Sequence, residues 1–200
     1  PQLVVAITKT INNIAAVDGE ALHQSGAIDS LLHVLDAPQL QPESKAYVIE
    51  ALSQACSSDL LINEVMQKGG VGTIQQTLQL VPSSASFAVA SAQFISSLAQ
   101  SSNLELLTGG TLTSKLLESM QSTDSNTQVH VAGMDALLSL AASHHHLVES
   151  ISLGGTNVIL STIQETNDEE VLKRGLLVTS SMLQTEEGQA QFVAAGGLQV

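Results

Sequence analysis

Three adjacent histidines, His144, His145 and His146, are the residues of this chain that first raise the question of chemistry. Imidazoles share a metal when they lie three or four residues apart on one helix face, or when a turn gathers them. Neighbouring helical positions instead diverge by about 100°, and the nearest acid, Glu149, stands apart from the tract. The tract is read as a solvated loop, with no metal ligands. His33 and His130 fall in apolar helical patterns and are expected to be packed or partly exposed. Gly69-Gly-Val-Gly72 is glycine-rich, but it follows a helical pattern and has no Lys-Ser/Thr after it, which excludes a phosphate loop. Cys56 is the one cysteine. It sits in an apolar pair and reads as a small core residue, and no internal disulfide can form, which fits a reducing compartment. Glu165-Thr-Asn-Asp-Glu-Glu170 could dock a basic partner. A solvated turn leading into a helix N-terminus explains it better, because the helix dipole favours acids there. No local signature brings Ser, His and Asp together. The expectation is a chain with no catalytic, cofactor or metal residues, not an enzyme.

The elements around these residues come next. Acidic side chains outnumber basic ones 19 to 6 in the 200 residues, for a formal charge of −13. The basic residues, Lys9, Lys45, Lys68, Lys115, Lys173 and Arg174, are scattered, a poor match to nucleic acid. No apolar run approaches the roughly 18 residues of a membrane span. Pro1-Gln-Leu-Val-Val lacks the charged start of a signal peptide, and the missing initiator Met gives the expectation of a piece of a longer chain. Leu, Val, Ile and Ala dominate the apolar residues, and Tyr47 is the one tyrosine. That composition suits helices packed on helices.

A repeat is audible in the glycines. Gly26, Gly70, Gly110, Gly155 and Gly197 each close a helical stretch, at steps of 44, 40, 45 and 42 residues. Glycine past a helix end supplies a left-handed C-cap. A second motif keeps the same beat: a polar residue followed by an apolar pair, at Asn13, Gln54, Ser97, Ser139 and Ser181, at steps of 41, 43, 42 and 42. Apolar and small residues recur at fixed offsets before it, tracing one face of a helix about four turns long. Each unit thus predicts a short helix ending at glycine, a middle helix and a long helix, as in Leu60 to Lys68, Val71 to Leu80 and Ser86 to Ala99. Turn and cap residues separate them at Ala37-Pro38, Val81-Pro-Ser-Ser84, Ser122-Thr-Asp-Ser125 and Thr166-Asn-Asp168. Asp168 is a predicted N-cap, and Lys173 and Arg174 follow Glu169 and Glu170 at the favourable helical spacing. The fold class is all-α, a right-handed solenoid.

On these residues the chain resembles the armadillo repeat family, whose units combine a Gly-Gly-hydrophobic turn with an Ala-Leu-x-Asn-Leu-Ala helix. Gly69-Gly-Val71, Ala51-Leu-Ser-Gln-Ala55 and Ala136-Leu-Leu-Ser-Leu-Ala141 carry the likeness; Phe94 to Ala99 and Ile11 to Ala15 match more loosely. The HEAT repeat, without the short first helix and this glycine, ranks second. The register reads 1–18 as a last helix, then units at 19–58, 59–100, 101–143 and 144–184, with 185–200 opening another. Solenoid ends need polar caps; neither end shows one, so both are expected to be cuts inside a longer array.

The resemblance implies a protein-binding scaffold in a larger eukaryotic complex, with the last helix of each unit lining a concave groove. It places Asn13, Gln54, Ser97, Ser139 and Ser181 at the groove's Asn position, with Lys9, Glu50, Gln93, Asp135 and Leu177 one turn earlier. The family's import receptors carry Trp at that earlier position. This chain has no Trp, which argues against a receptor of that kind. The expected partner is a protein, with a basic or extended segment near Glu50 and Asp135. Two alternatives stay open: a regulatory or targeting arm of a multidomain enzyme, and a structural component packed inside a cytoskeletal or axonemal assembly. The expected location is cytoplasmic, with cytoskeletal or nuclear association open.

Overall fold

The computed structural model describes residues 6, 7, 10, 11, 13, 14, 18–56, 58–80, 84–100, 110–122 and 126–199, with the side chains of 78–80 left aside. The expectations for Lys9, for Val81-Pro82-Ser83, for Thr123-Asp124-Ser125 and for the short helix before Gly110 fall outside these residues. So does most of the 1–18 helix.

The described residues are helical, without a strand, and divide into two compact units, 1–107 and 108–200. In the first unit lie α1 (Gly19–Gln24), α2 (Ala27–Asp36), α3 (Pro42–Ala55), α4 (Asp59–Gln67), α5 (Gly70–Leu80) and α6 (Ala85–Ala99). The second holds α7 (Thr111–Ser122), α8 (Thr127–Leu140), α9 (His144–Ser152), α10 (Gly155–Glu165), α11 (Glu169–Met182) and α12 (Glu186–Ala194), then a 3₁₀ turn at Gly197–Gln199. Short, middle and long helices alternate as the periodicity predicts. The long helices pack along one another, α3 on α6 in the first unit and α8 on α11 in the second.

Side chains start these helices where the sequence places them. Asp168 Oδ1 accepts from the amides of Glu170 and Val171 at 3.0 and 3.1 Å. Asn126 and Thr185 cap α8 and α12 in the same way. Each cap satisfies amides that no helical carbonyl can reach.

The glycine pairs divide their labour, a refinement of the C-cap expectation. Left-handed backbone falls at Gly26, Gly69, Gly110, Gly154 and Gly196, at steps of 43, 41, 44 and 42. In three of these, therefore, the first glycine of the pair makes the turn. The second has ordinary backbone but no room: a Cβ on Gly70 would stand 2.8 Å from the Val65 carbonyl oxygen, and one on Gly155 2.7 Å from that of Ser150. The chain doubles back so tightly that each new helix begins against the carbonyl five residues earlier.

The histidine tract departs from its expectation. Residues 144–146 form the first turn of α9, not a loop, and His146 is buried. Its ring lies beside that of His145, and its Nδ1 is 3.3 Å from Glu149 Oε2. Helical period explains this: the third histidine falls on the stripe of Leu147, Ser150 and Ile151, which faces the core.

Candidate partner-binding face

Within each unit the long helices expose a polar face, and the sequence-derived residues of that unit fall on it. Asn13, Gln54 and Gln93 are exposed; Glu50, Ser97, Asp135, Ser139 and Ser181 are half-buried. Leu177 is exposed at the register of Glu50, Gln93 and Asp135. The opposite stripe of each helix supplies the core, with Ile49, Phe94, Met134 and Val178 buried.

The serines at the Asn position do less than an asparagine would. Ser97 donates to the Gln93 carbonyl at 3.0 Å, Ser139 to that of Asp135 at 2.9 Å, and Ser181 to that of Leu177 at 3.2 Å. Each hydroxyl proton is turned back on its own helix. With its proton so spent, such a hydroxyl can meet a further partner only as an acceptor. Ser97 is further fixed by Ser53, whose oxygen lies 2.9 Å away on α3. Because Ser97 has already given its single proton to Gln93, Ser53 is the donor. The hydroxyl pair stitches α3 to α6 at the level of the face.

Acidic groups on the face differ in their company. Asp135 receives Arg174 Nε at 2.6 Å across the α8–α11 contact, and Glu170 pairs with the same guanidinium one helical turn before it. Among the described residues no basic side chain pairs with Glu50. Sequence reasoning saw Arg174 as a helical partner of Glu170 and missed its reach to Asp135. The signal was present, since Arg174 precedes Ser181 by two helical turns and so shares its face.

A second ionic cluster lies in the first unit. Glu64, a buried carboxylate on α4, holds His23 Nδ1 of α1 at 2.7 Å and Lys68 Nζ at 3.1 Å, and Lys68 also pairs with Asp29 of α2. The Asp29 and Glu64 carboxylates hold the Lys68 ammonium above its usual range. This cluster ties three helices together. Cys56 is buried, and burial pushes its thiol up to about 12, so it stays protonated and unreactive. In the second unit a cavity of about 510 Å³ is lined by His130, Glu165 and Asp168 with several hydroxyl side chains. His130 Nε2 donates to the Met120 carbonyl at 3.1 Å. Among the described residues no three metal-ligating side chains are gathered, and no helix is long and apolar enough to cross a membrane.

Comparison with known proteins places this geometry. No family model matches the chain, and no curated protein matches it. Solved structures do. An engineered protein superimposes with a TM-score of 0.82 at 16% identity, over 96% of this chain and 80% of that one. A designed armadillo repeat protein in complex with the peptide (KR)4 gives 0.78 at 16%, over 96% and 81%. A computationally designed armadillo repeat protein for modular peptide recognition gives 0.79 at 16%, over 96% and 81%. With its short, middle and long helices recurring at the glycine beat, the chain has an armadillo-like repeat fold.

Proposed function

We propose that this chain is a non-catalytic protein-interaction scaffold that binds an extended partner segment along the exposed face of its long helices. The observation that carries the reading is the recurrence of exposed or half-buried polar residues, Glu50, Gln54, Gln93, Ser97, Asp135, Ser139 and Ser181, with Asn13, at two registers one helical turn apart. A face that stays polar from α3 to α8, with serine oxygens fixed by their own helices, suits a chain whose backbone amides repeat. Repeat arrays gain affinity this way, one modest contact per unit. The designed armadillo protein bound to (KR)4 supports a basic segment as the ligand class, and Glu50 is the acid best placed to meet one. The units are proposed to run 19–58, 59–100, 101–143 and 144–184. The work of such a scaffold is assembly of a larger complex inside the cell.

The test is a displayed library of extended peptides selected against the chain. Winners should carry Lys or Arg and should lose binding on Glu50→Lys, while Glu118→Lys, an exposed charge on the middle helix α7, leaves them bound. Winners indifferent to Glu50→Lys would sink the reading.

A second reading, a structural component packed within an assembly, is favoured by one observation. Leu176, Leu177, Val193 and Leu198 expose 60%, 50%, 57% and 78% of their surface. Leu176 stands at the register of Ile49 and Met134, both wholly buried. A Leu176→Lys variant that loses self-association or co-purifying helical partners, yet keeps peptide binding, would favour that reading.

A further inference from the structure

We infer that Arg174 is a resident competitor on the partner-binding face: it fills, from within the chain, the site on α8 and α11 where a partner's basic side chain would bind. The inference rests on the scaffold reading above. Arg174 is the one arginine in the sequence. Its guanidinium bridges two helices, with Nε on Asp135 Oδ1 at 2.6 Å and Nη1 on Glu170 Oε1. A planar guanidinium uses separate edges for separate carboxylates, and here both are taken. Asp135 lies one turn before Ser139, at the register where Glu50 stands in α3. Among the described residues the same acidic position is thus unpaired by a basic side chain in the first unit and occupied in the second.

The occupied site is not sealed. Asp135 and Glu170 remain 45% and 52% exposed, and Arg174 24%. An ion pair this wet is weak enough to exchange. While Arg174 is seated, two carboxylates share one cation; when it swings out, both are available. A partner's Lys or Arg therefore gains nothing from Asp135 unless it displaces Arg174. The device sets a threshold: basic segments reach Asp135 only by exchange.

The experiment uses a fluorescently labelled (KR)4 peptide and anisotropy at low salt. Arg174→Gln should bind about threefold to fivefold tighter than wild type, the equivalent of one surface pair gained. Lys173→Gln, an exposed neighbour removing the same charge, should match wild type within the smaller uniform effect of net charge. Asp135→Asn should cancel the gain in the Arg174→Gln protein. Should Arg174→Gln fold poorly, Arg174→Met, which keeps the packed stem, takes its place. In the wild-type protein the single arginine Nε–Hε NMR signal should move towards that of free arginine as peptide is added. Equal affinities for Arg174→Gln and Lys173→Gln, with binding still lost on Glu50→Lys, overturn the competitor and leave the scaffold standing. Absence of binding in every variant overturns both.

Discussion

Replacing Gly175 by alanine tests how rigidly the second unit is packed. Gly175 lies in the middle of α11, where alanine is ordinarily the better helix former by about 1 kcal/mol. Burying the added methyl would contribute about 0.8 kcal/mol more. Against this gain stands a collision. A Cβ at 175 would lie 2.7 Å from Ile163 Cγ1, 2.9 Å from Ile163 Cδ1 and 3.2 Å from Met134 Cε. Carbon pairs settle at about 3.5–4.0 Å, so Ile163 is roughly 1 Å too near. Its Cγ1 is set by a χ1 that β-branching holds stiffly in a helix. Ile163 must leave its rotamer or α10 must part from α11. Overpacking of this kind costs about 1–3 kcal/mol and occasionally more, and an immovable contact belongs at or above the top of that range. Gly175→Ala should therefore destabilise by about 1–2 kcal/mol.

Gly133 supplies the control. There a Cβ would meet Met120, at 2.6 Å from Sδ and 2.7 Å from Cγ. Methionine has three rotatable torsions and adapts, so Gly133→Ala should stay within about 1 kcal/mol of wild type. Urea unfolding reads both, through the midpoint at constant slope. On the Ile163→Ala background the collision is gone, and Gly175→Ala should become stabilising, giving a coupling energy of about 2 kcal/mol or more. An equal loss from Gly175→Ala on both backgrounds would refute the steric account.

Ser91 Oγ is, among the described residues, a buried hydroxyl without a hydrogen-bond partner; Ser91→Ala should raise stability by about 1 kcal/mol in the same assay, since the desolvation penalty disappears with the group. Asp168→Ala should cost about 1 kcal/mol and fray α11 first, seen as faster amide exchange at Glu170 and Val171, which lose their acceptor. The Cys56 thiol, raised from 9.0 to about 12, contributes stability that is complete below pH 9 and is lost as pH climbs towards 12, because the unfolded chain ionises there first. Iodoacetamide at pH 8 should accordingly label Cys56 no faster than the chain opens, and a Cys56→Ala variant should flatten the alkaline limb of the stability curve.

How much of this was legible in the sequence depends on what each feature requires. Helix order was legible because a 3.6-residue stripe and a recurring glycine are local signals, and α4, α5 and α6 begin and end within a residue or two of their predicted bounds. Which glycine of a pair turns left-handed was not, because both satisfy the pattern. The choice depends on Gly70 lying against the Val65 carbonyl, a contact across a bend. The burial of His146 was hidden by its neighbours, since three identical residues carry no period of their own. On the face, Gln54, Gln93 and Ser97 could be placed by register alone. That Asp135 is paired could not, because its partner comes from a helix 39 residues away.

Lys45 and His130 show what a finer reading of the stripe would need. Both fall among apolar residues of a long helix, and Lys45 is buried. Lys45 Nζ donates to the Leu35 carbonyl at 2.9 Å, and His130 Nε2 to the Met120 carbonyl at 3.1 Å. Each acceptor lies ten residues before its donor, in the last turn or so of the preceding middle helix, where carbonyls lack intrahelical donors. The two bonds are equivalent by register, 85 residues apart at both ends. A basic residue in the core-facing stripe is thus neither a mistake nor a ligand, because a buried donor is tolerated only where an acceptor is guaranteed. In a stacked array the guaranteed acceptors are the ends of neighbouring helices, so such a residue marks the distance back to a helix terminus.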